Sequence, residues 1–206
     1  MKKKFAFGCL IVAIAVLVVG GGAAYVYVIR PLTNTVKAGM ELPKLAELDR
    51  QVSNKRAFSA PEGGLLQASD VERYLRVTGS VMTGLEGKAS ELEKKYAQLK
   101  DGNPGIRQVI NAYADIIQLV VAAKEMQVKA LNDANFSLDE YAWVRGAVLQ
   151  GARHTPALVN LSALAAGEVE ESTAASTTGV PEANVTLVAP YAERVGEYLP
   201  LALFGL

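Results

Sequence analysis

The sequence predicts an all-α protein in which a single N-terminal transmembrane helix precedes an extracytoplasmic antiparallel helical bundle. Two observations lead to this fold class. Residues 5–29 form an apolar run without a charged side chain, and several later segments repeat apolar residues every three or four positions, which is the period of one helix face. No segment alternates apolar and polar residues over a convincing length, as a half-buried strand would.

Residues 5–29 have the length and composition of a membrane span. About 20 apolar residues in a helix cross a hydrocarbon core of roughly 30 Å, and a helix satisfies its own backbone groups there. Lysines fill positions 2–4, whereas Arg30 alone follows the run. This asymmetry predicts a cytoplasmic N-terminus and an extracytoplasmic remainder. We expect a bacterial inner-membrane protein that faces the periplasm and contacts lipid through residues 5–29.

A cleavable signal peptide is the competing interpretation of the same N-terminus. Its charged start would be followed by an apolar core at 5–19 and by a small-residue cleavage site at 22–24. Apolar character resumes after Ala24 with Tyr-Val-Tyr-Val-Ile, so the run is longer than a signal peptide needs. We favour the anchor, and cleavage before residue 25 stays open.

Composition limits what the extracytoplasmic part can be. All 21 acidic residues follow residue 30, together with 17 of the 21 basic ones, so this part carries a net charge of about −4. A nucleic-acid partner is not expected, because it calls for a clustered basic face. The sole cysteine, Cys9, lies in the apolar run, so no intrachain disulfide is possible. We predict no cofactor and no metal, and a domain stabilised by packing.

The first periodic signal after the anchor is a short helix over 43–56, followed by a Pro- and Gly-containing loop at 58–67. A much longer helix then begins at Ser69 or Asp70, either of which can cap it. Its apolar positions alternate spacings of four and three, which predicts a seam of coiled-coil type. These positions, called the seam below, are Val71, Leu75, Thr78, Met82, Leu85, Ala89, Leu92, Tyr96 and Leu99.

A dense turn signal at 101–105 separates this helix from a second one over 106–131, which predicts an antiparallel hairpin. After a turn at 132–136, Ser137 and Glu140 have the spacing of a capping box and open a helix that runs to Ala152. Thr155 and Pro156 suit the start of a short helix that ends at Ala166.

The last part of the chain is predicted to be a linker and a docking helix. Residues 168–183 are rich in Ser, Thr, Glu and Ala, and Asn184 can cap the final helix. Residues 201–206 are too apolar to be left in water, so we expect them to dock on the bundle, a partner or the membrane surface. The predicted organisation is a cytoplasmic start (1–4), an anchor (5–30), a juxtamembrane segment (31–68), a helical bundle (69–167), a linker (168–183) and a docking helix (184–206).

Catalytic chemistry finds little support in the sequence. His154 is the only histidine, and no second ligand type lies near it at a metal-binding spacing. No phosphate-binding loop and no serine nucleophile elbow is present. The candidate interaction residues are Leu75, Met82, Leu85 and Leu92 on the seam, and Tyr141, Trp143 and Arg145 around the only tryptophan. The seam can pair either with the next helix of the same chain or with a second copy.

These observations favour a non-enzymatic, single-span membrane protein whose helical domain mediates protein–protein interaction. It would act as an accessory subunit or scaffold of an envelope complex, with a protein partner or as a homo-oligomer. The alternative is a sensor or a helical module that binds a small molecule or a lipid, secreted if the signal peptide is cleaved.

Overall fold

The protein is all-α within the part of the chain that its computed structural model describes, apart from one pair of two-residue strands. The description covers residues 43–96, 106–154, 158–159, 171–172, 179–202 and 204–206. The helices are α1 (Pro43–Arg50), α2 (Ala68–Tyr96), α3 (Ile106–Asp133), α4 (Leu138–Gly151), α5 (Glu182–Val188) and α6 (Ala192–Ala202), with 3-10 turns at Glu62–Gly64 and Ala189–Tyr191.

The predicted membrane span does not fall within this description. Residues 5–29 and the predicted turn at 101–105 both lie outside the described residues. None of the helices in the described ranges is both long and apolar enough to cross a membrane. The all-α class and the helical bundle are therefore confirmed, and the anchor stays a prediction.

Helices α2 and α3 run antiparallel and share the most extensive helix interface of the fold. Near the start of α2, Arg73 Nε donates to the carbonyl of Ala134, just past the end of α3 (3.2 Å). Near the end of α2, the Tyr96 hydroxyl donates to Asp115 Oδ2 (2.5 Å), in the first half of α3. The pairing of start with end and end with start gives the antiparallel hairpin that the short connection predicts.

The described positions of the seam, Val71 to Tyr96, pack inside the chain, and the packed face is wider than the sequence indicates; Leu99 lies outside the described residues. Five of its positions are buried, from Val71 to Ala89, while Met82, Leu92 and Tyr96 are half-buried. Tyr74, Val77 and Val81 are buried as well, because α4 and α6 also pack on α2. Spacings of four and three describe a helix that packs on one partner through one face. This part of α2 packs on α3, α4 and α6, so more than one of its faces is buried.

Three helix ends share one geometry, in which a residue with positive φ turns the chain back on its own helix. These residues are Asn135 (φ 54°), Arg153 (φ 60°) and Gly205 (φ 73°). The residue after each donates its N–H to a carbonyl five positions back, at 2.9, 2.8 and 3.1 Å respectively, as in a Schellman motif. In the third, Leu206 is packed with Leu201 against Val81 and Leu85.

The apolar C-terminal segment therefore docks on the bundle in its described residues, 201–202 and 204–206, which was the first of the three predicted outcomes. Leu206 is only 2% exposed. Gln127 Nε2 on α3 donates to the carbonyl of Gly205 (3.2 Å), which fixes the segment across the hairpin. Its apolar side chains fill a second core cluster beside the main one.

The structure differs from the sequence-based prediction in the connection between α4 and α5. Strands β1 (Leu158–Val159) and β2 (Glu171–Ser172) pair antiparallel, Leu158 opposite Ser172 and Val159 opposite Glu171. The short helix predicted from Pro156 to Ala166 is thus wrong at 158–159, and the linker predicted over 168–183 contains a strand. The main-chain N–H and C=O groups of two paired strands bond to each other. Such a pair therefore does not need apolar side chains, and a composition rich in Ser, Thr, Glu and Ala does not exclude it.

Two helix boundaries also differ. The first helix ends at Arg50 rather than near 56, because the chain beyond it bonds to α3 through Asn132. The last helix begins at Glu182 and is interrupted by the 3-10 turn that contains Pro190, since proline lacks a main-chain donor.

Candidate functional site

The candidate interaction residues on α2 face the interior of the chain. Leu75 and Leu85 are each 3% exposed, and Met82 and Leu92 are half-buried. Leu75 belongs to the main core, while Leu85 packs with Leu201 and Leu206 in the second cluster. In this conformation the seam is covered by the protein's own helices.

The second candidate group, Tyr141, Trp143 and Arg145, does not form one cluster. Successive helix residues are about 100° apart, so positions two apart point in different directions and positions four apart lie together. Tyr141 is 2% exposed, and the Arg145 guanidinium lies 5.8 Å from its ring centre. Trp143 instead lies half-buried at the surface of α4.

Tyr141 occupies an aromatic and polar part of the core. Its ring centre is 6.0 Å from that of Tyr74 and 5.7 Å from that of Phe136, and its hydroxyl is 3.4 Å from Thr78 Oγ1. Burial raises the pKa of both Tyr74 and Tyr141, because the phenolate would lose its hydration. Both phenols therefore stay neutral at ordinary pH and serve the core.

Trp143 is contacted by a segment that has no regular structure apart from the 3-10 turn at Glu62–Gly64. We call this segment, residues 53–67, the strap. The ring centre of Phe58 in the strap lies 5.5 Å from that of Trp143, with the ring planes tilted by 44°. Both residues are half-buried. Ala142 beside them is exposed, and a Cβ at Gly146 would meet no atom within 4 Å. Phe58 and Trp143, called the aromatic patch below, are thus half-buried side chains with open space at Gly146, one turn further along α4.

Two asparagine side chains hold the chain at the two ends of the strap. Asn132 Oδ1 accepts from the N–H of Ser53 (2.7 Å), and its Nδ2 donates to the carbonyl of Gln51 (3.1 Å). Asn184 Oδ1 accepts from the N–H of Leu66 (2.9 Å), and its Nδ2 donates to the carbonyl of Gly64 (2.9 Å). Each amide joins a carbonyl and the N–H two residues later.

The role of Asn184 corrects the sequence-based prediction. It lies inside α5, and the residue before the first turn of α5 is Pro181, which makes no side-chain cap. Asn184 is 1% exposed, so its amide serves the strap rather than its own helix. The sequence gives only a weak sign of this, because asparagine is a poor residue for a helix interior unless its side chain bonds elsewhere.

The predicted capping box at the start of α4 is confirmed and has a second use. Ser137 Oγ accepts from the N–H of Glu140, and the Glu140 carboxylate accepts from the N–H of Ser137. Glu140 Oε1 also pairs with Arg73 Nη1 at 2.7 Å. Arg73 stacks over Phe136, with its Cζ 3.6 Å from the ring centre. These groups join α2 to the α3–α4 connection.

His154 lies where α4 ends and is half-buried. Its Nε2 is 3.6 Å from the point where a Cβ would stand at Gly196 on α6, so the imidazole packs against that helix. No group of three or more His, Cys, Asp or Glu side chains in the described ranges is arranged to hold a metal ion.

Comparisons with protein-family models, with curated proteins and with solved structures find no match to this chain. A function for it therefore has to be argued from its own surfaces and sites. Of the two aromatic candidates of the sequence, Tyr141 is buried, whereas Trp143 packs against the main core and is only half-buried. The aromatic patch is accordingly the candidate functional site.

Proposed function

We propose that this chain is a non-enzymatic, single-span membrane protein whose helical domain binds another protein through the aromatic patch. It would act as an accessory subunit or scaffold of an envelope complex, facing the periplasm. The anchor is supported by the apolar run at 5–29 and by the lysines before it.

The observation that carries the proposal is the position of Trp143 and Phe58 at the surface. Tryptophan is enriched among residues that dominate binding energy at interfaces, where it fills a complementary pocket. Here the indole is already ordered by the Phe58 ring, so little side-chain entropy is lost on binding. The small side chains at Ala142 and Gly146 allow a partner to approach α4 closely.

Site-directed photo-crosslinking in the native membrane tests this proposal. A photoreactive residue in place of Ala142, which is exposed next to Trp143, should capture one partner protein. The same residue in place of Ser90, which is exposed on α2, is the matched control and should not. Equal capture from both positions, or none from Ala142, contradicts the proposed binding surface.

A helical module that binds a small molecule is the second candidate function, and the core offers one observation in its favour. Thr78, Gln127 and Tyr141 are polar groups buried among α2, α3 and α4, and ligand sites in helical bundles are built from such facing side chains. A thermal-shift screen with polar metabolites and lipids tests it. A ligand at 100 times its Kd raises the free energy of unfolding by about 2.7 kcal/mol, and no shift with any compound removes this candidate.

A further inference from the structure

The strap carries two adjacent basic residues, Lys55 and Arg56, that lie outside the helices. Lys55 and Arg56 are exposed, as are Ala57, Ser59 and Ala60. Asn132 and Asn184 bond to the main chain of 51–53 and 64–66, and the Asn54 side-chain amide donates to the carbonyl of Asn135. Between these ends, residues 57–60 make no main-chain hydrogen bond to any other described residue. Lys55 Nζ donates to the carbonyl of Arg50 (2.8 Å), and the N–H of Arg56 donates to Asn54 Oδ1 (3.1 Å), both at exposed positions. The dibasic pair is thus held at the surface by exposed bonds alone, between two fixed points.

An endopeptidase can draw such a segment into its active site once the exposed bonds of Lys55 and Arg56 open. A protease active site takes an extended chain, pairs with its main-chain groups as an added strand would, and places one side chain in a specificity pocket. Exposed loops with small polar residues are the preferred places for such cleavage. Other exposed basic residues, such as Arg76, Lys88 and Lys94, lie within α2, so a protease would have to unfold that helix first.

We propose that Lys55-Arg56 is a processing site for an endopeptidase that cleaves after basic residues, and that the cut falls between Arg56 and Ala57. The step is a hydrolysis. The bond between the Arg56 carbonyl carbon and the Ala57 nitrogen breaks, and water supplies the hydroxyl of the new Arg56 carboxyl group and the proton of the new Ala57 amine.

The cut separates α1 from the rest of the bundle. Helix α1 and the residues before the cut are held by the buried side chains of Leu48 and Val52, by Asp49 paired with Lys124 at 2.6 Å, and by exposed bonds from residues 51–54 to Asn132 and Asn135. While the strap is intact these contacts are intramolecular, so the effective concentration of α1 is high. After hydrolysis they must offset the full entropy of association, which two buried apolar side chains and a few exposed polar bonds do not do. Helix α1 then leaves with everything N-terminal to the cut.

The C-terminal product is expected to stay folded. Asn184 continues to hold Gly64 and Leu66, and helices α2 to α6 keep the main core apart from Leu48 and Val52, which leave with α1. Release of this product from the membrane rests on the proposed function, because it needs the anchor at 5–29. The cut itself does not.

Limited proteolysis of the full chain in mild detergent tests the site, with trypsin as the probe and intact masses of the fragments as the readout. The first cut should follow Arg56 or Lys55 and give a fragment that starts at Arg56 or Ala57, keeps its helical circular dichroism and still unfolds cooperatively, at a melting temperature lowered by the loss of Leu48 and Val52 from the core. The double variant Lys55→Gln/Arg56→Gln should slow this cut at least tenfold. Arg76→Gln, on the exposed face of α2, is the control and should leave its rate unchanged.

A first cut elsewhere, with residues 55–56 intact, overturns the proposal. So does a cut at Arg56 that is no faster than global unfolding, which a denaturant series on the same sample measures. Because the digestion needs neither membrane nor partner, it is independent of the proposed binding function. The same digestion on membrane vesicles, with the fragment followed into the supernatant, tests the anchor separately.

Discussion

At the scale of single residues, two asparagines with the same bonding geometry have different surroundings. Asn184 is buried and Asn132 is not, although each joins a carbonyl and the N–H two residues further along the chain. A hydrogen bond is worth about 1 kcal/mol net, but a buried main-chain group left without a partner costs about 1–3 kcal/mol. The bonds of Asn184 should therefore contribute more to the free energy of unfolding than those of Asn132.

Asn184→Ala should lower the free energy of unfolding by about 2–3 kcal/mol, because it leaves the N–H of Leu66 and the carbonyl of Gly64 unpaired. Urea unfolding measures this. Asn132→Ala, whose bonds are exposed, should cost about 1 kcal/mol or less. Thr186→Ala, exposed on α5, is the control for the helix itself. Equal losses at 184 and 132 would contradict the distinction.

Arg153 shows backbone strain at the end of α4. Its φ of 60° lies in the left-handed region, which costs a residue with a Cβ about 1–2 kcal/mol relative to glycine. Arg153→Gly should therefore raise the free energy of unfolding by about 0.5–1 kcal/mol, part of the gain being lost to the greater freedom of glycine in the unfolded chain. Asn135→Gly should gain less, since asparagine tolerates this conformation. A loss of stability in Arg153→Gly runs against this account.

At the scale of elements, the last two residues of α2, Lys95 and Tyr96, bond to Asp115 on α3 and so join the two helices of the hairpin. Asp115 Oδ2 accepts from Lys95 Nζ at 2.6 Å and from the Tyr96 hydroxyl at 2.5 Å. Burial alone would raise the pKa of Asp115, but the hydrogen bonds from Lys95 and Tyr96 outweigh it and hold this pKa below its ordinary value. The carboxylate is therefore more easily kept ionised in the folded chain than in the unfolded one.

A lowered folded-state pKa fixes the direction of the pH effect. The stabilisation from Asp115 is fully present above its unfolded pKa, near 3.8, and is lost as the pH falls through the lower folded value. Between pH 7 and pH 3, the wild type should therefore lose more unfolding free energy than Asp115→Asn does. Asp133→Asn, which removes an exposed pair with Lys129 on the same helix, is the control. Parallel losses in wild type and Asp115→Asn would contradict this role.

The seam supplies the sharpest prediction about helix packing. Leu85→Asp puts a carboxylate among Val81, Ala123 and the C-terminal leucines, and an unpaired buried charge is among the most damaging changes a core can receive. We expect the monomer to unfold, which circular dichroism with size-exclusion chromatography will show. Thr83→Asp, exposed on the same helix, should stay folded. A folded Leu85→Asp monomer that has lost a dimer would mean that the seam pairs two copies.

Two glycines on α2, Gly84 and Gly87, differ in whether another side chain packs against them. A Cβ at Gly84 would come within 2.5 Å of Met126 Sδ, whereas one at Gly87 would meet nothing within 4 Å. The first glycine thus allows α3 to approach closely. The second has no such contact among the described residues, and nothing in the structure explains its presence.

At the scale of the whole molecule, the strap links two parts with different roles. Helices α2 to α6 form the packed bundle. In the sequence, α1 lies between the predicted anchor and the strap. The aromatic patch lies where the strap crosses α4. Phe58 of the aromatic patch and the proposed processing site are therefore within one segment, residues 53–67, so that a partner bound at Phe58 would hinder cleavage at Arg56.

The sequence predicts most of the helices because their period and their caps are local. The seam, the hairpin and the Ser137–Glu140 capping box all follow from spacings of three and four residues. The strap depends on bonds between residues 79 and 118 positions apart, which no local pattern contains. The contact between Phe58 and Trp143 is also between residues distant in the sequence. The sequence therefore marks Trp143 as a candidate and places Phe58 only in a loop.

The most direct test of the central claim is a mild-detergent extraction of the tagged full chain from its native membranes, with intact mass and bound protein measured on one sample. The account predicts that the partner-bound chain is uncleaved, keeps Met1 and carries the partner in stoichiometric amount. The partner should be lost from Ala142→Glu, a surface change beside Trp143, and kept by Thr83→Asp on the other helix. A mass shortened by the first 24 residues with no partner, or a partner that Ala142→Glu retains, would contradict it.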